Sequence, residues 1–165
     1  MSKQLVDVLK SAHAHKGTAF VEIFQNCIVY NADVFAGFTE KANQNHQLWL
    51  ENGKPMLFAG GTKGITMDMK SLSLQVVDVV DGNWEAAGVL VHDVTNRTVA
   101  HMLVEMPFGP FPMALGVIYD DPRPTYEDAV LGQDAKMREG KSTDLGKLLA
   151  KGQTWTVNPE EGHPA

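Results

Sequence analysis

The spacing of apolar residues predicts a helix at the start of the chain. Ser2 can cap its first turn and Gly17 can end it, so we expect the helix to run from Ser2 to about His15. Its apolar residues recur at the i, i+3, i+4 and i+7 spacing of one helix face, namely Leu5, Val8, Leu9 and Ala12. The sequence therefore begins with an amphipathic helix.

The next segment has a pattern typical of a β-strand. Thr18 to Phe24 is nearly continuous in apolar, aromatic and β-branched residues, and Glu22 is its only charged residue. This composition predicts a central parallel strand that is buried on both faces. A crossover helix normally connects two parallel strands of one sheet, and here no strand precedes the helix. We therefore expect the chain to be one part of a larger α/β domain.

A short helix and a polar loop are predicted after Cys27. The run from Asp33 to Phe38 suits a short helix, and Asn31 can cap it. Residues 41–47 are polar and loop-like, so we place the change from the sheet core to a C-terminal region near there. This divides the chain into residues 1–45 and 46–165.

From Leu48 onward, short β-like runs alternate with turn signals. The clearest turn signals are at 52–55 and 60–64, where Gly, Asn and Pro are concentrated. The β-like runs lie at 49–50, 56–58, 74–80, 88–92, 99–105 and 113–118. The run at 99–105 has a mixed helix and strand signal. We expect this region to be extended and partly β.

Two helices are predicted near the C-terminus. Thr125 is followed three residues later by Asp128, which is a capping-box arrangement that begins a helix ending near Gly140. Either Ser142 or Thr143 can cap a second, shorter helix. The fold predicted from the pattern is therefore α/β.

Composition and charge limit the kinds of protein to which this chain can belong. The 165 residues are 44% hydrophobic and 21% charged, which is ordinary for a globular domain. The formal charge of -6 and the lack of a basic cluster argue against nucleic-acid binding. No apolar run is long enough for a membrane span, and no signal-peptide pattern is present. With a single cysteine and therefore no internal disulfide, we expect a cytoplasmic protein without a membrane partner.

Cys27 is the first candidate for chemistry. It comes just after the predicted strand, and α/β folds bind ligands at the carboxyl ends of their strands. A lone cysteine is most often a small buried hydrophobe, and the residues alone favour that interpretation. An iron–sulfur cluster generally needs four thiolates, of which this chain supplies one. The residues of this sequence therefore cannot hold a four-cysteine cluster alone.

The histidines have simpler interpretations than catalysis or metal binding. His13 and His15 are two residues apart on a predicted helix, so they point to different sides, and a solvated helix end is expected. His92-Asp93 has the residue types of a proton relay, but no nucleophile is identifiable with it. We interpret that pair as the end of a strand.

Two further features have structural interpretations. Glu22 interrupts an apolar strand and could contact a cofactor, but buried charges are normally paired, so we favour a satisfied structural carboxylate. Gly60 to Gly64 superficially suggests a phosphate loop, yet it lacks the P-loop spacing and a following helix. We expect a turn there.

Several ordered motifs together carry a resemblance to a known family. They are His-Lys-Gly-Thr-Ala-Phe-Val-Glu-Ile-Phe-Gln-Asn-Cys at 15–27, Leu-Glu-Asn-Gly-Lys-Pro-Met-Leu-Phe at 50–58, Leu-Val-His-Asp at 90–93, Phe-Pro-Met-Ala-Leu-Gly-Val at 111–117 and Arg-Pro-Thr-Tyr-Glu-Asp at 123–128. The chain resembles the β subunit of 2-oxoacid:ferredoxin oxidoreductases, in particular the 2-oxoglutarate type. The resemblance covers roughly the C-terminal half of such a subunit.

The resemblance implies a fold and a set of cofactors. Residues 1–45 would be the end of a thiamine-diphosphate-binding parallel-sheet domain, and residues 46–165 an extended, partly β extension with two helices. The complete complex would hold thiamine diphosphate, Mg²⁺ and a [4Fe-4S] cluster. Cys27 matches the fourth cluster ligand of the family, whose other three ligands lie in the N-terminal part of the β subunit.

The implied activity is oxidative decarboxylation of a 2-oxoacid to an acyl-coenzyme A, with electrons passing to ferredoxin. The implied partners are the missing N-terminal β portion and the α subunit. The family's Cys-x-x-Cys and Gly-Asp-Gly-Asp motifs have no counterpart in this sequence, so we expect no catalysis by the chain alone. The alternative is a non-catalytic interaction module or an inactive fragment derived from that subunit.

Overall fold

The computed structural model describes residues 3–153 and residue 155. These residues form helices together with a parallel and an antiparallel sheet, so the predicted α/β class is confirmed. The chain separates into two compact units, Met1–Arg123 and Pro124–Ala165. The division into subunit regions at residues 1–45 and 46–165 stays a prediction, since it rests on the family resemblance.

Among its described residues, the first unit contains three α-helices and five strands. The helices are α1 (Lys3–Ala14), α2 (Ala36–Thr39) and α3 (Arg97–Glu105). The strands are β1 (Gln47–Leu50), β2 (Leu57–Phe58), β3 (Lys63–Asp68), β4 (Ser73–Asp78) and β5 (Met113–Gly116). The predicted first helix is confirmed as α1, while its predicted cap, Ser2, lies outside the described residues.

The two sheets share one hydrophobic core. Strands β1 and β5 pair in parallel, and β2, β3 and β4 form an antiparallel sheet in that order. The buried cluster combines residues from both sheets and from α3, namely Leu48, Leu50, Met56, Ile65, Leu74 and Leu103. Met102 and Met106 pack against this cluster, as expected of core-filling methionines. Burial of apolar surface therefore holds the sheets to the helix.

The predicted strand at Thr18 to Phe24 is wrong for this chain. Residues 18–26 belong to no helix or strand, and they form no backbone–backbone hydrogen bond within the described part of the chain. A strand requires a neighbour for its amide and carbonyl groups, and both sheets are built from other residues. The apolar pattern favours a strand, but it does not provide a second segment with which the strand could pair.

The region after Cys27 also differs from its prediction. The short helix is present as α2, but Asn31 does not cap it, because Phe35 occupies the cap position and no side chain caps that end. Residues Lys41–His46 form a short 3₁₀ helix rather than a loop. The backbone of Asn31 is instead hydrogen-bonded to the backbone of Cys27, as described below.

Two of the predicted β-like runs are not strands in the structure, and one strand, β3, was not predicted. The run at 88–92 forms only a single bridge, between Val91 and Pro55. The mixed run at 99–105 is helix α3, because the Asn96 side chain accepts the Val99 amide at 3.1 Å and caps it. Strand β3 escaped prediction because its first two residues, Lys63 and Gly64, lie within the predicted turn at 60–64, where Gly60 and Gly61 have positive φ.

The second unit contains α4 (Tyr126–Arg138) and α5 (Leu145–Leu149). The predicted capping box is confirmed, since the Thr125 hydroxyl accepts the Asp128 amide and the Asp128 carboxylate accepts the Thr125 amide. The cap predicted for α5 at Ser142 or Thr143 is wrong, because the Asp144 carboxylate accepts the first free amides. No helix within the described ranges has the length and apolar character needed to cross a bilayer.

A test of the β1–β5 pairing is provided by Gly116. Its φ is 109°, and a Cβ at this position would lie 2.8 Å from the Leu50 carbonyl oxygen. Gly53 also has a positive φ, 74°, but a Cβ there meets nothing within 4 Å. We expect Gly116→Ala to destabilise the chain by about 1–3 kcal/mol more than Gly53→Ala, measured by urea unfolding. Equal losses from the two variants would contradict this close approach.

Candidate functional site

The candidate site is the loop of residues 27–31. The Asn31 amide donates to the Cys27 carbonyl at 2.8 Å, and the Cys27 amide donates to the Asn31 carbonyl at 3.3 Å. This reciprocal pair closes the loop and directs its intervening amides inward. The Cys27 side chain is exposed, so the interpretation of this cysteine as a buried hydrophobe is wrong.

Backbone hydrogen bonds lower the pKa of the Cys27 thiol. The amide of Tyr30 has the largest effect, followed by that of Val29; desolvation opposes them, and the amide of Asn31 adds the smallest contribution. Backbone N–H groups stabilise the negative sulfur more than the neutral thiol. The loop thus favours the thiolate, which is the form that attacks electrophiles and binds metals. Sequence reasoning missed these donors, because a backbone amide has no side-chain signature.

Aromatic packing attaches this loop to the fold. The Phe24 ring contacts the rings of Phe35 and Phe38 edge to face, with centroids 5.1 and 5.2 Å apart. Phe38 is 3% exposed and also contacts Phe108, at 5.2 Å between centroids. Edge-to-face pairs of this kind contribute beyond simple area burial. Phe24 therefore anchors the chain three residues before Cys27.

The outer side of the loop is apolar and exposed. Ile28, Val29 and Tyr30 are among the most exposed large side chains that the structure describes. Isolated exposed apolar residues are common on protein surfaces, but three in succession beside a thiol form a contiguous apolar surface.

The other sequence candidates lie apart from catalytic chemistry. His15 Nδ1 is 2.8 Å from Asp120 Oδ1, so the end of α1 is tied to the loop after β5 rather than solvated as expected. His92 is 1% exposed, and its Nε2 donates to the Val117 carbonyl at 2.9 Å. A carbonyl can only accept, so His92 Nε2 carries a proton. His92 is therefore a buried structural residue.

The interpretation of His92 and Asp93 as the end of a strand is wrong, since they follow a single bridge between Pro55 and Val91 and belong to no strand. The Asp93 carboxylate accepts the hydroxyl of Thr95 at 2.7 Å and its amide at 2.9 Å. These two bonds lower the pKa of Asp93. The carboxylate thus caps a local turn instead of orienting an imidazole.

Glu22 is not the satisfied carboxylate that the sequence favoured. Its side chain is exposed, and it forms no ion pair or hydrogen bond with the residues that the structure describes. The prediction assumed a buried strand, and the segment that contains Glu22 is unpaired in this chain.

The donor set fits one ligand of an iron–sulfur cluster. Cys27 offers an exposed sulfur whose thiolate is favoured, which is the chemistry that iron requires of a ligand. Within residues 3–153 and 155, no group of three or more His, Cys, Asp or Glu side chains gathers to hold a metal ion. The described part of the chain therefore does not fit the magnesium of thiamine diphosphate, and fits a cluster only through Cys27.

Comparison with known proteins identifies one similar enzyme subunit. No family model matches the chain, and no solved structure matches it significantly. The chain is 28% identical over 161 residues to the 2-oxoglutarate oxidoreductase subunit KorB of Mycobacterium tuberculosis. The match covers 93% of this chain and 42% of KorB, so the chain spans less than half the length of this relative.

Reactivity of Cys27 tests the electrostatics of the loop. We expect the rate of iodoacetamide alkylation to rise with pH around a lower midpoint in the folded chain than in the same chain unfolded by guanidinium, because the folded loop stabilises the thiolate. By linkage, this stabilisation is fully present above the pKa of the unfolded thiol and is lost as the pH falls through the folded pKa. Coincident midpoints would contradict the role of the loop amides.

The similarity to KorB confirms the resemblance predicted from the motifs. Along almost its whole length the chain is similar to a 2-oxoglutarate oxidoreductase subunit, and the coverage is consistent with the C-terminal half of a β subunit.

Proposed function

We propose that this chain is the C-terminal part of the β subunit of a 2-oxoacid:ferredoxin oxidoreductase that acts on 2-oxoglutarate. The observation that carries the proposal is the similarity of 93% of the chain to a subunit named for 2-oxoglutarate oxidoreduction. The chain spans 42% of that relative, and the activity we propose is that of the whole subunit in its complex.

The proposed reaction depends on cofactors that the assembly holds. When bound, thiamine diphosphate with Mg²⁺ would provide carbanion stabilisation, and a [4Fe-4S] cluster, which Cys27 would help to hold, would provide one-electron transfer; ferredoxin would be the electron acceptor and coenzyme A the acyl acceptor. Of these cofactors, the cluster is the only one for which the described residues of this chain support a direct role in binding.

Cys27 is the residue through which this chain would hold the cluster. Its sulfur is exposed, and the amides of Tyr30 and Val29 stabilise its negative charge. Hydrogen bonds to ligand sulfur also tune the reduction potential of iron–sulfur clusters. The loop at 27–31 would therefore supply one ligand and two of the backbone donors around it.

The proposed partners follow from the similarity to KorB, which is a subunit and of which this chain spans 42%. Three further thiolates and the thiamine diphosphate site would come from the polypeptide of the same organism that carries the Cys-x-x-Cys and Gly-Asp-Gly-Asp motifs, here termed the complementary polypeptide. The α subunit completes the enzyme, and residues 48–165 would pack against it or against a second β copy. We place this assembly in the cytoplasm, where a lone unpaired thiol stays reduced.

The decisive test is cluster content with and without the proposed ligand. The chain is co-expressed anaerobically with the complementary polypeptide and the α subunit, and the purified complex is analysed for iron and sulfide. We expect Cys27→Ser to remove most of the cluster and of the 2-oxoglutarate-dependent reduction of ferredoxin, because serine offers iron a poor ligand in place of thiolate.

Ala42→Ser is the matched control, since Ala42 is exposed in the short 3₁₀ helix Lys41–His46 and lies outside both residues 48–165 and the loop at 27–31. It should leave iron, sulfide and activity unchanged. Unchanged cluster content in Cys27→Ser would contradict the ligand role. A chain that associates with neither partner would favour the non-catalytic module or inactive fragment.

A further inference from the structure

The loop at 27–31 is held in place by residues outside it. The side chains of Ile28, Val29 and Tyr30 are each at least 76% exposed. Within the described part of the chain, the backbone–backbone hydrogen bonds of the loop are the reciprocal pair between Cys27 and Asn31. Those bonds fix the shape of the loop but not its place in the fold. Its place therefore depends on the segments on either side.

Two phenylalanines close the base of the loop. Phe24 comes before the loop and Phe35 after it, and their rings meet edge to face with centroids 5.1 Å apart. Both rings also contact the ring of Phe38, at 5.2 and 5.8 Å between centroids. Because such contacts favour particular ring orientations as well as distances, the two ends of the loop are held close together.

Phe38 connects this base to the rest of the first unit. Its side chain is 3% exposed, and its ring contacts Phe108, which belongs to the segment between α3 and β5. Its carbonyl accepts a hydrogen bond from the side-chain amide of Gln47. A Cβ added at the neighbouring Gly37 would lie 2.9 Å from the Phe108 ring, so the packing around Phe38 is close. Phe38 thus attaches the base of the loop to two other segments.

Gln47 is the first residue of β1, and both ends of its side-chain amide are hydrogen-bonded. Nε2 donates to the Phe38 carbonyl, and Oε1 accepts the Trp49 indole N–H at 3.0 Å. An indole N–H can only donate, so Trp49 selects the amide orientation that directs Nε2 towards Phe38. Leu48, which lies between the two residues, is fully buried in the shared core. The amide therefore joins Phe38 to a strand that is fixed by core packing.

We propose that Gln47 and Phe38 are positioning residues for Cys27, and that they hold its thiolate where the cluster can bind it. This inference rests on the proposed function, because it takes the cluster from there. Residues that orient a metal ligand without touching the metal change metal affinity or activity by about 10- to 100-fold when they are replaced. Here the orienting contacts run through the carbonyl and the ring of Phe38.

Replacement of Gln47 tests this attachment in the full chain. Gln47→Met removes both hydrogen bonds of the amide at nearly constant side-chain length. Gln47→Glu keeps an acceptor for Trp49, but its carboxylate cannot donate to the Phe38 carbonyl. We expect both variants to speed hydrogen–deuterium exchange of the Asn31 amide by about 5-fold, which is the effect of losing one hydrogen bond.

Gln44→Met is the matched control for these variants. Gln44 is exposed in the 3₁₀ helix Lys41–His46, and its side chain forms no hydrogen bond with the part of the chain that the structure describes. It also lies outside residues 48–165 and the loop at 27–31. The control should therefore change neither the exchange of the Asn31 amide nor the assembly of the complex.

The same variants are then compared in the anaerobic complex with the complementary polypeptide and the α subunit. We expect the Gln47 variants to lose iron to a chelator about 10-fold faster than the Gln44→Met control. Unchanged exchange in both Gln47 variants, or faster exchange without faster iron loss, would overturn this inference and leave the proposed function intact. Unchanged cluster content in Cys27→Ser would overturn the ligand role and this inference together, whatever the Gln47 variants show.

Replacement of Phe38 separates positioning from general stability. Phe58→Leu is the matched control for Phe38→Leu, because Phe58 packs against the buried core cluster from β2. Both variants should lower the free energy of unfolding, since both remove packed side-chain volume. We expect only Phe38→Leu to speed exchange of the Asn31 amide without denaturant, where exchange follows local opening rather than global unfolding. Equal acceleration in the two variants would overturn the positioning role of Phe38.

Discussion

The parallel pairing of β1 with β5 is the interaction on which the rest of the first unit depends. It joins Gln47–Leu50 to Met113–Gly116 and encloses the β2–β3–β4 sheet and α3 in the intervening chain. The Leu48 and Leu50 side chains belong to the same buried cluster as Ile65 and Leu103. Strand pairing and core burial therefore reinforce each other, and neither sheet is wide enough to be stable without the shared core.

The candidate site is connected to this core by a short chain of contacts. The Gln47 side chain, at the start of β1, donates to the carbonyl of Phe38, and the Phe38 ring packs against Phe24. Cys27 follows three residues later in a loop closed by its own backbone. The inner side of the site is thus held by packing, while its outer side presents a thiol and three apolar side chains to solvent. Such a surface suits a contact with another polypeptide.

Local signals in the sequence predicted the helices well, because a helix makes its hydrogen bonds within one segment. Helix α1 followed from apolar spacing, and α4 from the Thr125–Asp128 capping box. The cap of α5 was misplaced, since Asp144 competes with its hydroxyl-bearing neighbours and reaches two amides. Strand predictions were less accurate, because a strand exists only when a distant segment pairs with it. The run at 18–24 lacks such a neighbour here, whereas β3 finds both β2 and β4.

The sequence by itself determined the α/β class, the similarity to an oxidoreductase subunit, and Cys27 as the single thiol of the chain. These properties depend on residue type and local order. Only the tertiary structure decided that Cys27 is exposed with its thiolate favoured, and that His15 pairs with Asp120, 105 residues away. The exposure of a side chain, the hydrogen bonds that backbone amides donate to it, and its contacts with distant residues all depend on how the chain folds back on itself. No local sequence pattern contains that information.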